Sequence, residues 1–272
     1  MSRQGMSVGT DFFSGHGTGW FENLCNGGGV PDCHFGMALG TSETGAFVFG
    51  GIDETLYEGD LTPVGVPSYG GNATSHWRAN IVINEKELLI PHREIGLFDS
   101  GTANILMPPS DAKDIFEAAG IQTVEVEPPW GNCTEAYAGG KIVLGYYPCD
   151  NPPKIGLHLL DPKDGNIRGP VFNIEPEAFK MHDNGNNNCT ATIVGLPSQE
   201  RHGSKSWNVG NAWMRGKYTD YTSWGVLQGV ALLKNKADPG GSAPLGSDAS
   251  RSWLSGVGVL VITVVIMLMQ IP

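Results

Sequence analysis

LFDSGTANILMP, residues 97–108, is the stretch that decides how this chain is read. Two large apolar residues, Leu97 and Phe98, run into Asp99, Ser100, Gly101 and Thr102, and the chain turns apolar again at Ile105, Leu106 and Met107. An apolar strand that stops at Asp-Ser-Gly-Thr presents one carboxylate at a tight turn on the end of a buried sheet. Gly101 is expected to take a backbone with φ > 0 and to let a second segment pass close by. Ser100 and Thr102 bring hydroxyls that hydrogen-bond backbone and carboxylate groups and fix their orientation. Asp-Ser-Gly between two strands is also an ordinary turn, so the flanks must decide.

Working outward, further segments come in a definite order. Phe47–Leu61 reads FVFGGIDETLYEGDL, a strand, a Gly-Gly-Ile-Asp turn and the segment after that turn. His76–Ile83 reads HWRANIVI, a Trp ahead of an alternating strand, and Leu88–Ile95 leads into the Asp99 turn. Pro109–Gly120, PSDAKDIFEAAG, has helical spacing: Ala112, Ile115, Phe116 and Ala119 share a face, and Ser110 is the expected cap. Trp207–Gly210 reads WNVG, and Val226–Leu233 forms a last apolar strand. Upstream, WFENLCNGGGVPDC gives a helix end and a glycine loop before the strand HFGMAL. In this order the segments resemble a pepsin-like aspartic endopeptidase over roughly residues 7–233.

The resemblance covers half of such an enzyme. The family is built of two β-rich lobes, each supplying one Asp to a cleft between them, and this chain matches the second lobe. The implied fold is all-β, the C-terminal half of the bilobal protease fold, followed by an apolar helix. Residues 1–46 read as the inter-lobe segment and the start of the lobe. Residues 47–233 read as the lobe itself, 234–252 as a polar linker and 253–272 as an apolar anchor or a removed anchor signal. No Asp-Thr-Gly-type turn occurs upstream of Asp99, and Asp53 in GGIDET belongs to a different motif. The chain therefore reads as a half-enzyme or a truncated piece of one.

The resemblance implies that Asp99 is catalytic and that Ser100, Gly101 and Thr102 orient its carboxylate. Ser100 stands where the family often has Thr, and Asn211 where it often has Asp. The implied reaction is peptide-bond hydrolysis by two carboxylates and one water, with no cofactor and no metal. Like charges that close cannot both ionise, so the pair shares a proton. The ionised partner takes a proton from water and the neutral partner donates to the scissile carbonyl. A lone Asp99 cannot play both parts, so the chain alone is expected to be inactive. The implied partners are a peptide or protein substrate and the missing first lobe. The alternatives are a non-catalytic binding lobe derived from such a protease, and a homodimer that pairs two Asp99 residues.

Composition agrees. With 39 Gly and 18 Pro among 272 residues and short apolar runs between turns, the chain favours β structure. A net charge of −11 leaves no basic face for phosphates, which excludes nucleic acid as a partner. There is no phosphate-binding glycine loop and no Gly-x-Ser-x-Gly elbow for a serine nucleophile. None of the five cysteines forms a Cys-x-x-Cys metal pair. By position, Cys149 and Cys189 resemble the disulfide pair of the family's second lobe; Cys25 and Cys33 flank the glycine loop and are placed to close it, which leaves Cys133 over.

Three sequons, at Asn72, Asn132 and Asn188, together with the expected disulfides, point to a secretory route. Lys234–Ser252 is polar, and Trp253–Pro272 is free of charge around VGVLVITVVIMLM. Such a run is just long enough to span a bilayer. Small residues at Gly240–Ala243, a polar spacer and a terminal apolar run make the order of a glycosylphosphatidylinositol signal. A spanning helix and a tail anchor are the alternatives. The expected location is the cell surface, anchored at the C-terminus.

Overall fold

The computed structural model describes residues 20–64, 77–127, 140–160, 169–201, 204–222 and 227–240. The chain divides into two compact units, residues 1–66 with 216–272, and residues 67–215. In chain order the helices are α1 (Trp20–Asn26), α2 (Pro109–Ala119), α3 (Pro176–Phe179) and α4 (Asn211–Met214). The first strands are β1 (His34–Leu39), β2 (Gly45–Phe49), β3 (Thr62–Pro63), β4 (Trp77–Ile83), β5 (Lys86–Phe98) and β6 (Ile105–Met107). Then come β7 (Gln122–Val126), β8 (Ile142–Pro148), β9 (Ile155–Leu160), β10 (Phe172–Asn173), β11 (Lys180–Asp183) and β12 (Asn188–Gly195). The last are β13 (Glu200–Arg201), β14 (Ser204–Lys205), β15 (Trp207–Val209), β16 (Lys217–Thr222) and β17 (Leu227–Leu232). The described protein is mostly β-sheet with few and short helices, as the alternating apolar runs predict.

The first unit is a five-stranded sheet in the order β2-β1-β16-β17-β3. Its middle strand β16 returns from far along the chain and pairs antiparallel with β1, Phe35 opposite Tyr221 and Ala38 opposite Tyr218. The aromatic residues close the layer: Phe35 stacks on Tyr221 at 5.0 Å and Tyr57 meets Tyr218 at 4.9 Å. Asp53 spends its carboxylate on a turn, accepting from the Thr55 N–H at 2.9 Å and the Thr55 hydroxyl at 2.6 Å. That is an Asx turn, in keeping with its place in GGIDET outside the catalytic motif. Asp220 is buried on β16 beside His34, whose Nδ1 lies 3.2 Å from its carboxylate. Burial pushes the Asp220 carboxyl above its ordinary range, and the facing imidazole opposes that shift.

The glycine loop is closed by backbone bonds: the N–H groups of Gly27, Gly28 and Gly29 donate to the carbonyls of Asn23, Cys25 and Leu24. Cys25 and Cys33 are not joined by a disulfide, so the bridge expected across this loop is corrected. The helix-end turn already fixes the loop, and Cys33 leaves it exposed with its N–H on Asp32 Oδ1 at 2.8 Å. Cys133, Asn72, Asn132 and the apolar stretch Trp253–Pro272 lie outside the described residues. Among the described residues no helix is long and apolar enough to cross a membrane.

The second unit holds a ten-stranded sheet, β10-β9-β4-β5-β15-β6-β12-β8-β7, with β11 paired to β12. Helix α2 lies against β7, β8 and β12 and buries Ala112, Ile115 and Phe116, as its spacing predicts. One detail differs from expectation. Pro108 occupies the cap position and Pro109 the first turn, so Ser110 is already inside the helix and is not the N-cap. The end is a left-handed Gly120, φ 69°, whose N–H returns to the Glu117 carbonyl. Trp207 and Trp213 are fully buried on the same unit. Aromatic side chains buried to this degree contribute about 2–3 kcal/mol each.

Candidate active site

Asp99 comes directly after β5. Beneath it runs β15, inserted between the strand that enters the turn and the strand that leaves it. Trp207 pairs with Ile95, and Val209 with Phe98, in parallel register along β5. On its other edge β15 runs antiparallel to β6, Val209 opposite Ile105. The Asp99 N–H donates to the Val209 carbonyl at 2.9 Å, so the base of the turn is tied to this crossing strand. Phe98, the last residue of β5, is buried against Trp213, ring centroids 5.2 Å apart, and the Trp213 indole N–H donates to the Phe172 carbonyl at 3.0 Å.

Both carboxylate oxygens of Asp99 are held from within the turn. The Gly101 N–H donates to Oδ1 at 2.8 Å and the Thr102 hydroxyl donates to Oδ2 at 2.6 Å. The Thr102 N–H also reaches the Asp99 carbonyl at 3.1 Å, closing a one-turn loop. The carboxylate itself is half-buried, and Ser100 and Gly101 are exposed. A carboxylate fixed by two short donors keeps one orientation, and each oxygen retains a lone pair for a further donor. Gly101 does not adopt the positive φ expected of it. The turn needs glycine for space: a Cβ there would sit 3.1 Å from Asp99 Oδ1, where the N–H has to reach the same oxygen.

The chain after β15 locks the far side. The Asn211 N–H donates to the Thr102 carbonyl at 2.8 Å and the Ala212 N–H to the Ala103 carbonyl at 3.0 Å. Gly210 lies against the turn so closely that a Cβ would collide with the carbonyl oxygens of Thr102 and Asn104. The Asn104 side chain accepts from the Thr192 hydroxyl at 3.1 Å, tying the exit of the turn to β12. Asn211 Oδ1 is buried with no hydrogen-bond partner among the described residues.

Comparison with known proteins agrees with this geometry. The description "Eukaryotic aspartyl protease" fits residues 5–231 as one family match. The chain belongs to the eukaryotic aspartyl protease family. An aspartic protease of Phaffia rhodozyma is 27% identical over 222 residues, which are 79% of this chain and 47% of that protein. Gastricsin of Mus musculus is 24% identical over 232 residues, 80% of this chain and 50% of its own length. Embryonic pepsinogen of Gallus gallus is 28% identical over 128 residues, 46% of this chain and 32% of its own length. The chain thus spans about half the length of the first two aspartyl protease relatives.

One feature beneath this aspartyl protease turn is not legible in the sequence. Asp111, only 2% exposed on the first turn of α2, accepts from the Trp207 indole N–H at 2.9 Å and from the Ser110 hydroxyl at 3.3 Å. It thereby fixes the start of β15, the strand whose end holds Asp99. An acid in the first turn of a helix reads in sequence as a partner of the helix dipole, and no periodicity links it to a Trp so far along the chain. The remaining site residues fall elsewhere. Cys149 and Cys189 are joined, Cα atoms 5.1 Å apart, at the end of β8 and the start of β12. Asp183 lies beside them, but both sulfurs are spent in the bridge, so that group offers a metal one carboxylate only. Asn188 is exposed at the head of β12. His158 is engaged by Glu87 at 2.9 Å and by the Gly169 carbonyl, away from the Asp99 turn.

Proposed function

We propose that this chain is the second lobe of a bilobal aspartic endopeptidase and that Asp99 is one of its two catalytic carboxylates. The observation that carries this reading is the double tether of the Asp99 carboxylate by the Gly101 N–H and the Thr102 hydroxyl, on an exposed turn. Such a carboxylate is pre-organised to grip one water between itself and a second, opposed carboxylate. With one proton shared between the two, the ionised oxygen takes a proton from the water as it attacks the scissile carbonyl. The protonated partner donates to the carbonyl oxygen; the tetrahedral intermediate then breaks at the C–N bond as the carboxyl that took the water's proton passes it to the leaving amine and a hydroxyl of the intermediate returns a proton to the other carboxylate. Ser100 and Gly101 present the turn's exposed edge to the opposite lobe, and the substrate is a peptide or protein.

The chain has one such turn, so expressed by itself it is expected to show no pepstatin-sensitive hydrolysis of peptides between about pH 3 and 6. Activity in that range that vanishes in Asp99→Asn would overturn the half-enzyme reading, because it would mean the chain completes a dyad from its own copies.

The route proposed is secretory, supported by the Cys149–Cys189 bridge and by the sequons. The tail proposed is a glycosylphosphatidylinositol signal cut near Gly240–Ala243, supported by the order of small residues, polar spacer and apolar run. Behind a working signal peptide, phosphatidylinositol-specific phospholipase C should release the protein from cells without Trp253–Pro272. Retention with that peptide intact would mean a spanning or tail-anchored form.

A further inference from the structure

Asn188-Cys189-Thr190 is the sequon that falls among the described residues, and its surroundings couple two covalent events. The Asn188 side chain is exposed at the head of β12, while Cys189 and Thr190 are 0% and 4% exposed. On one edge the triplet pairs with β8: Asn188 with Pro148, Cys189 with Tyr147, Thr190 with Tyr146. On the other edge Cys189 pairs with Asp183 and Thr190 with His182 of β11. The Thr190 hydroxyl accepts from Asn184 Nδ2 at 2.9 Å. The Asn188 N–H is bonded to the Gly185 carbonyl and its own carbonyl to the Asn184 N–H. Cys189 is covalently held to Cys149. The hairpin tip is pinned again by Asn187, whose amide exchanges two hydrogen bonds with Asp150, at 3.0 and 2.9 Å.

Glycan transfer needs the whole triplet, because the hydroxyl two residues on is part of what makes the asparagine an acceptor. In the folded hairpin the amide nitrogen is accessible and the hydroxyl is not. Exposing Thr190 means stripping β12 from strands on both sides while the bridge still holds Cys189, the middle residue of the triplet. We propose that Asn188 is an N-glycosylation site whose occupancy is decided by a race between glycan transfer and closure of the Cys149–Cys189 bridge.

The two reactions draw on the same few residues. In the first, Asn188 Nδ2 forms a C–N bond to the anomeric carbon of a lipid-pyrophosphate-linked oligosaccharide. The C–O bond to the pyrophosphate breaks, the lipid pyrophosphate leaves, and the amide loses one proton. In the second, the Cys149 and Cys189 thiols become a disulfide, passing two electrons and two protons to a disulfide-bearing oxidoreductase. Cys149 precedes Cys189 in the chain, so its thiol is already present when Cys189 emerges. Bridge first buries Thr190 and ends acceptor competence. Glycan first leaves the sugar on an exposed side chain at the strand's head, where the fold tolerates it. Both orders lead to one fold and two glycoforms. This inference rests on the secretory routing proposed above and is independent of the protease reading.

The test supplies the route. The full chain is placed behind a cleavable signal peptide, with Asn72→Gln and Asn132→Gln, and with an appended reporter sequon that records entry into the lumen. After a short pulse, before any degradation of misfolded chains, occupancy at Asn188 is read by mass spectrometry of the peptide deglycosylated in heavy-oxygen water. Cys149→Ser leaves the triplet intact and removes the bridge; its occupancy should exceed that of the parent at least about twofold. Brief dithiothreitol during the pulse should raise the parent's occupancy by the same route without any substitution. Equal occupancy in parent and Cys149→Ser, or no glycan on Asn188 in any arm while the reporter is occupied, would overturn the proposal.

Discussion

With the chain joined to a lobe carrying the second carboxylate, Asp99→Asn is expected to lower kcat for peptide hydrolysis by roughly 10³-fold or more, with KM little changed. The substitution is nearly isosteric. Its carboxamide oxygen still accepts the Gly101 N–H in place of Oδ1. The amide NH₂ then faces the Thr102 hydroxyl, which turns from donor to acceptor, so the turn survives while the ionisable oxygen is lost. A carboxamide neither takes a proton from water nor shares one with its partner, and the loss therefore falls on the chemical step. Thr102→Val is the graded companion. It removes one of the two tethers and leaves the charge, so kcat should fall far less than in Asp99→Asn. Thr102→Ser should restore most of that loss. An Asp99→Asn enzyme that keeps its kcat, with a melting transition within a few degrees of the parent, would remove Asp99 from the mechanism.

How much of the fold and site is legible in the sequence depends on the range of the interactions. The Asp99 turn, the helix behind it and the WNVG strand are local patterns. Their residues are neighbours in sequence, so apolar periodicity and turn chemistry reveal them. The Thr102 hydroxyl on the carboxylate is likewise a contact over three residues. What periodicity cannot carry is partner choice between distant segments. Strand β16 sits at the centre of the first unit's sheet beside β1, and His34 reaches Asp220 from the far end of the chain. The Asp111–Trp207 bond is of the same kind. Two expectations failed for local reasons. Ser110 lost the cap position to Pro108, because a proline at the first helical position sets the start two residues earlier than the hydroxyl suggests. Gly101 is required for room and not for a left-handed backbone.

The same crowding makes Gly210 the most exacting position under the site. Gly210→Ala should destabilise the second unit by about 3 kcal/mol or more, at the upper end of what an added methyl costs. Its Cβ would meet two backbone carbonyl oxygens, of Thr102 and Asn104, and approach the Thr102 carbonyl carbon to 2.8 Å. Neither obstacle is a flexible side chain. The Thr102 carbonyl is fixed by the Asn211 N–H, and Asn104 is tied to Thr192. Relief therefore requires β15 to back away from the turn. That stretches the bond from the Asp99 N–H to the Val209 carbonyl, so amide exchange at Asp99 should quicken before global unfolding. Gly229→Ala is the matched control, a strand glycine whose Cβ would meet only Leu61 at 3.4 Å and beyond, in ordinary contact. Its melting temperature should stay within about 2 °C of the parent. If Gly210→Ala melts with the control and its Asp99 amide exchanges at the parent rate, the turn does not depend on the close passage of this strand, and the account of how Asp99 is positioned is wrong.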